Sequence, residues 1–69
     1  MIHDKVYQIL NLVGTSQKSI EDAIDNALEA ASKKANKVDW FEVVETRGFV
    51  ENNKAKYYQV TLRIGCADE

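Results

Sequence analysis

Between residues 16 and 35, the apolar side chains Ile20, Ala23, Ile24, Ala27, Leu28, Ala31 and Ala35 recur at spacings of three and four. Only a helix gathers such positions into one stripe. Most of the stripe is alanine, so the helix can lie close against whatever it covers. A helix is therefore predicted over 16–35. Ser16 is placed to cap it, and Ser19, three residues before Asp22, offers a second capping box. Acidic Glu21, Asp22 and Asp25 come early and Lys33, Lys34 and Lys37 late, as the helix dipole favours.

The flanking segments supply a sheet for the stripe to cover. Residues 6–13, VYQILNLV, place Val6, Leu10 and Leu12 with Gln8 on one face of a strand, and Tyr7, Ile9 and Val13 with Asn11 on the other. Apolar residues on both faces predict cover on both sides, and Gly14-Thr15-Ser16 is expected to end the strand. Residues 38–50 again read as β. Over 55–66, Tyr58, Val60, Leu62, Ile64 and Cys66 alternate with Tyr57, Gln59, Thr61, Arg63 and Gly65. Asparagine tolerates the left-handed backbone, so Asn52-Asn53 between these runs suits a two-residue hairpin turn. The expectation is one α+β domain spanning 1–69, ordered β-α-β-β, with a three-stranded antiparallel sheet and one helix on one face.

That turn fixes a register. Trp40 falls opposite Gly65, Glu42 opposite Arg63, Val44 opposite Thr61 and Thr46 opposite Gln59, on the face away from the helix. Phe41 with Ile64 and Val43 with Leu62 point towards it. Glu42 and Arg63 then make a favourable cross-strand ion pair. Trp40 is left on the uncovered face beside Val44 and Thr61, where a large aromatic needs other cover. Two readings follow: a contact with another subunit, or a stacking platform for a planar ligand.

Length bears on that choice. A chain of 69 residues lies below the size, about 70–80 residues, at which a core alone gives comfortable stability. Its single cysteine, Cys66, offers neither an intrachain disulfide nor a metal cluster. Oligomerisation is the remaining remedy, so an assembly is expected.

Several function classes are disfavoured. No apolar run approaches the roughly 18 residues of a membrane span. The N-terminus has no signal-peptide h-region, which predicts a cytoplasmic protein. The net charge is −2, from nine basic and eleven acidic residues without a basic block, which argues against nucleic acid even though Trp40, Tyr57 and Arg63 could form a stacking surface. Glu42, Glu45 and His3 are the acid–base candidates for an enzyme. But Glu42 is engaged by Arg63, His3 lies near the terminus, and no nucleophile–base–orienter set is visible. No enzyme is expected.

Val13-Gly14-Thr15-Ser16, Asp39-Trp40-Phe41-Glu42-Val43, Arg47-Gly48, and Tyr58-Gln59-Val60-Thr61 through Ile64-Gly65 together resemble the bacterial members of the dodecin family, in order and spacing from about Val6 to Gly65. The resemblance implies a small flavin-binding protein whose three-stranded sheet partly wraps its helix. It further implies a hollow homododecamer that holds flavins in antiparallel stacked pairs at subunit interfaces. By the same resemblance, Trp40 stacks on the isoalloxazine ring and Gln59 hydrogen-bonds its polar edge. Arg47 meets the flavin phosphate, favouring FMN over bare riboflavin, with FAD as a further option, and Glu45 contacts the ribityl hydroxyls. The implied role is flavin storage and suppression of flavin photochemistry. Family members that bind coenzyme A carry basic residues where this chain reads Gly65-Cys66-Ala67. Coenzyme A is therefore not expected, and Lys5, Lys33 and Lys34 are the remaining candidate phosphate contacts. The alternative is an oligomeric assembly protein without a flavin role, in which Trp40 is interface packing.

Trp40 pairs beside Gly65, six residues along the strand from Gln59, which is roughly 20 Å at about 3.3 Å per residue. One chain cannot bring both onto one ring, so different subunits must build the pocket. A bulge near Arg47-Gly48 would shift the register and re-aim Arg47 and Glu45.

Overall fold

In the computed structural model, which describes residues 6–35 and 37–67, the chain folds as β1 (Tyr7–Ser16), α1 (Ile20–Ser32), β2 (Val38–Glu51) and β3 (Lys54–Ala67). The strands form one antiparallel sheet in the order β1-β3-β2. This is the β-α-β-β arrangement predicted, a three-stranded sheet with one helix. Asn52 and Asn53 both have positive φ, 55° and 64°, as the first-choice hairpin turn requires.

Two boundaries differ from expectation. β1 does not end at Gly14 but runs through Ser16, pairing Gly14 with Val60 and Ser16 with Tyr58. Gly14 lies where the helix crosses the strand. A Cβ there would run into the Ala23 carbonyl and come within 3.0 Å of the Ala27 Cβ. The glycine lets two elements touch; it does not break one.

The helix accordingly starts at Ile20 rather than at residue 16. Ser19 is its N-cap, accepting from the Asp22 backbone N–H at 3.0 Å. Ser16 instead stitches the β1–α1 connection. Its hydroxyl accepts from the backbone N–H of Lys18 at 2.9 Å and donates to the Asp22 carboxylate at 2.7 Å. At the other end the helix stops at Ser32, so Lys33 is the C-cap and Lys34 and Lys37 lie beyond it. Ala35 stays half-buried against the core.

Ala23, Ala27 and Ala31 are buried against Val60, Leu62, Ile64 and Cys66 of β3, the faces that the two periodicities assigned. Leu10 and Leu12 of β1 complete this core from the side. The helix covers β1 and β3 and barely reaches β2. Phe41 and Val43, which point to the helix side of the sheet, are therefore each 44% exposed. Every residue of β2 except Val38 is exposed. The β2–β3 hairpin stretches the molecule to 52 × 19 × 15 Å with a radius of gyration of 14.0 Å. A compact domain of this length would have about 11 Å.

The register holds at Trp40–Gly65, Phe41–Ile64, Glu42–Arg63 and Val43–Leu62. Then it slips. A bulge at Val44 makes Glu45, not Val44, the partner of Thr61. Thr46 consequently pairs with Val60 and Arg47 with Gln59, correcting the expected pairs Val44–Thr61 and Thr46–Gln59. A second shift lies between Phe49 and Val50, beside the expected Arg47-Gly48; it moves the register counted from the turn, and the Val44 bulge restores it. Between the two, Gly48 pairs with Tyr58.

Candidate functional site

Cross-strand partners share a face, so the register defines what the helix-free side of the sheet presents. From end to end, its rows across β2, β3 and β1 are Trp40–Gly65–Ile9, Glu42–Arg63–Asn11, Glu45–Thr61–Val13 and Arg47–Gln59–Thr15. Phe49 and Tyr57 follow, their rings stacked at 4.6 Å. Trp40 and Glu42 are even-numbered whereas Glu45 and Arg47 are odd. They share a face because the extra residue Val44 advances β2 by one position. All four residues singled out in the sequence, Trp40, Glu45, Arg47 and Gln59, thus project from one surface.

That surface has two ends of different chemistry. At one, the Trp40 indole lies over Gly65: a Cβ added to that glycine would collide with the six-membered ring. Tyr7 holds the indole edge-on, with ring centroids 5.8 Å apart and planes at 63°. The indole is still 39% exposed. A rigid aromatic plane backed by a glycine and braced by a tyrosine offers its outer side to another flat, apolar group.

At the other end, Gln59 stands between Arg47 and Thr15. It helps line an open depression of about 310 Å³ together with Thr15, Ser16, Gln17 and Tyr57. An amide there can donate and accept, and hydroxyls surround it. Thr15, Ser16 and Gln17 were not anticipated as neighbours of Gln59. They reach it because β1 continues past Gly14. Expecting that glycine to break the strand hid them, although Thr15 belongs to the Val13–Ser16 motif.

Charge on the face is arranged in two pairs. Arg63 Nη1 lies 2.9 Å from Glu42 Oε1, the predicted cross-strand ion pair. Arg47 is bonded through Nη2 to Glu45 Oε2, two residues away on its own strand. Both members of the second pair keep about half their side-chain surface exposed, 51% and 52%.

Trp40 and Gln59 are brought onto one face but not together. Their β3 positions, 65 and 59, are six residues apart, which is roughly 20 Å of strand. Cys66 is buried on the helix side, as a small apolar filler, and Ala67 is buried too. His3 and Lys5, considered as a proton shuttle and a phosphate contact, lie outside the described residues. Lys33 and Lys34 sit on the far side of the molecule, at a helix-surface hollow with Asn26, Glu29 and Ala30. No group of three or more His, Cys, Asp or Glu side chains suited to a metal ion occurs among the described residues. No described helix is long and apolar enough to cross a membrane.

The sequence and the fold are also similar to those of known proteins. The Dodecin family model matches residues 6–68. A dodecin of Thermus thermophilus is 48% identical over 61 residues, 88% of each chain. Among solved structures, the dodecin from Streptomyces davaonensis superposes with a TM-score of 0.88 at 35% identity, covering 96% of this chain and 97% of that one. The tt0972 protein from Thermus thermophilus gives 0.88 at 46% identity, covering 94% and 96%. A family match over nearly all of the described chain, with the same fold, leaves no competing assignment: this chain belongs to the dodecin family.

Proposed function

We propose that the protein binds flavin without turning it over, storing FMN and suppressing its photochemistry in the cytoplasm, as a homododecamer with flavins paired at subunit interfaces. The observation that carries this reading is Trp40, held flat over Gly65 and braced by Tyr7 on a sheet face that the chain's own helix does not cover. Trp40 stacks on the isoalloxazine ring. Gln59, at the hydroxyl-lined end, reads the ring's polar edge with an amide that both donates and accepts. Arg47 forks onto the phosphate and Glu45 lies beside the ribityl chain. The separation of Trp40 from Gln59 supports a pocket built by more than one subunit, each chain lending its tryptophan to one contact and its glutamine to another.

Membership of a family of small binding and storage proteins favours this role over catalysis. So does the pairing of the face's carboxylates with arginines, which leaves Glu42 and Glu45 poorly placed as free acid–base groups. Riboflavin and FAD carry the same ring and are accepted with different affinity. Ala67, buried and uncharged, offers nothing to coenzyme A.

Substituting Trp40→Ala separates this reading from a purely structural one. The expected result is a weakening of FMN binding by about tenfold or more, in line with the loss of a full stacking partner, with the assembly intact by sedimentation. Dissociation of the assembly with FMN affinity per assembled site unchanged would make Trp40 interface packing and refute the platform.

A further inference from the structure

The Val44 bulge sets Glu45 and Arg47 side by side on the open face, opposite Thr61 and Gln59 respectively. Arg47 bonds to the Glu45 carboxylate. The side chain best suited to an anion therefore already holds one, supplied by its own strand. The pair is half-exposed, so its attraction is modest and a stronger, doubly charged anion can displace or share it. We infer that Glu45 is a specificity-determining residue, a built-in competitor for Arg47 that limits how strongly the site prefers phosphate-bearing flavins over unphosphorylated riboflavin.

This inference rests on the flavin-binding reading and goes a step beyond it. There, Glu45 attends to ribityl hydroxyls. Here it holds down the apparent value of the neighbouring cation. Without the carboxylate, Arg47 presents an uncommitted guanidinium to phosphate. With it, part of each phosphate contact is spent displacing an existing partner, and the carboxylate repels the phosphate besides. A site tuned in this way accepts a phosphorylated and an unphosphorylated flavin over a narrower range of affinities than an unpaired arginine would allow.

FMN and riboflavin share the ring and the ribityl chain and differ only in the phosphate. Any hydrogen bond that residue 45 makes to the ribityl hydroxyls therefore cancels in the ratio of their affinities. The experiment is a pair of fluorescence titrations, FMN and riboflavin, on the intact assembly of the parent, Glu45→Gln, Arg47→Gln and the double variant. Glu51→Gln serves as the charge control. Glu51 pairs with Lys56 near the hairpin turn, away from Arg47. Glu45→Gln is expected to raise the preference for FMN over riboflavin by about two- to fivefold, the range of an exposed ion pair. Glu51→Gln is expected to leave it where it was, and in the Arg47→Gln background the gain from Glu45→Gln should vanish.

An unchanged ratio in Glu45→Gln overturns the inference. A falling ratio also overturns it, because Glu45 would then be holding Arg47 in place for the phosphate. An equal gain with and without Arg47 overturns it as well, since Glu45 would be acting by bulk charge alone. Failure of the parent protein to bind either flavin is a different outcome and sinks the flavin reading itself.

Discussion

A tryptophan on an open sheet face is only useful as a flat surface if something keeps it flat, and Gly65 does so by having no side chain. Because a Cβ at Gly65 would occupy the space of the indole ring, Gly65→Ala is expected to lift Trp40 off the sheet. Its intrinsic fluorescence should shift, and FMN affinity should fall to near that of Trp40→Ala, with little change in helix content by circular dichroism. Unchanged FMN affinity would mean that the orientation of Trp40 does not matter. The pairing of these two residues was legible in the sequence, because the Asn52-Asn53 turn sets the hairpin and the two register shifts beyond it, at Phe49/Val50 and at Val43/Glu45, cancel before Trp40 is reached. Between those two shifts, Glu45 and Arg47 lie one position off the register counted from the turn. Val44 looks like any strand residue, and its bulge leaves no mark in composition or periodicity. A bulge near Arg47-Gly48 was expected, and the shift at Phe49/Val50 lies beside it; the compensating one at Val44 was not expected.

At the scale of elements, three small contacts decide how the pieces join. Gly14 allows α1 to touch β1 at Ala23 and Ala27. Gly14→Ala must push helix and strand apart, and is expected to cost about 1–3 kcal/mol as overpacking does, seen as a lowered midpoint in denaturant. Ser19 closes the helix start, so Ser19→Ala should cost about 1 kcal/mol. The hairpin turn has both central residues at positive φ. Asn53→Ala should therefore destabilise by about 1 kcal/mol while Asn53→Gly does not, since only residues tolerant of the left-handed region fit there without penalty. The helix was the most readable element in its middle, where alanine spacing speaks plainly, and the least readable at its ends. Ser16 and Ser19 are both good caps by composition. What separates them is that Ser16 is still paired to Tyr58 in the sheet, a tertiary fact.

The whole molecule is unfinished as a single chain. Its buried apolar set among the described residues is small, dominated by three helix alanines and three branched side chains of β3. Meanwhile Phe41, Val43, Val44, Phe49 and Val50 along β2 stay between 37% and 73% exposed. Such a run of exposed apolar surface on a thin, elongated chain calls for a partner, and the short, staple-free sequence already pointed there. Stability should therefore depend on protein concentration, with the unfolding midpoint rising as concentration increases. A charge placed at Val43, Val43→Glu, should break the assembly in sedimentation, whereas an assembly that survives it would show that β2 is not the surface covered. Short length and the lack of a disulfide or metal staple together indicated self-association. The proposed number of subunits rests on the family resemblance, because no periodicity within one chain encodes it.

The claim on which the account turns is that this face binds flavin. It is tested most directly by titrating FMN, with riboflavin alongside, against the purified protein while following flavin fluorescence. Strong quenching that saturates near one flavin per chain, tighter for FMN than for riboflavin, is the predicted result. It would match a paired stack on Trp40 with Arg47 attending the phosphate. Flavin fluorescence left unquenched at micromolar protein would contradict the account, and the open face would then exist to hold the assembly together.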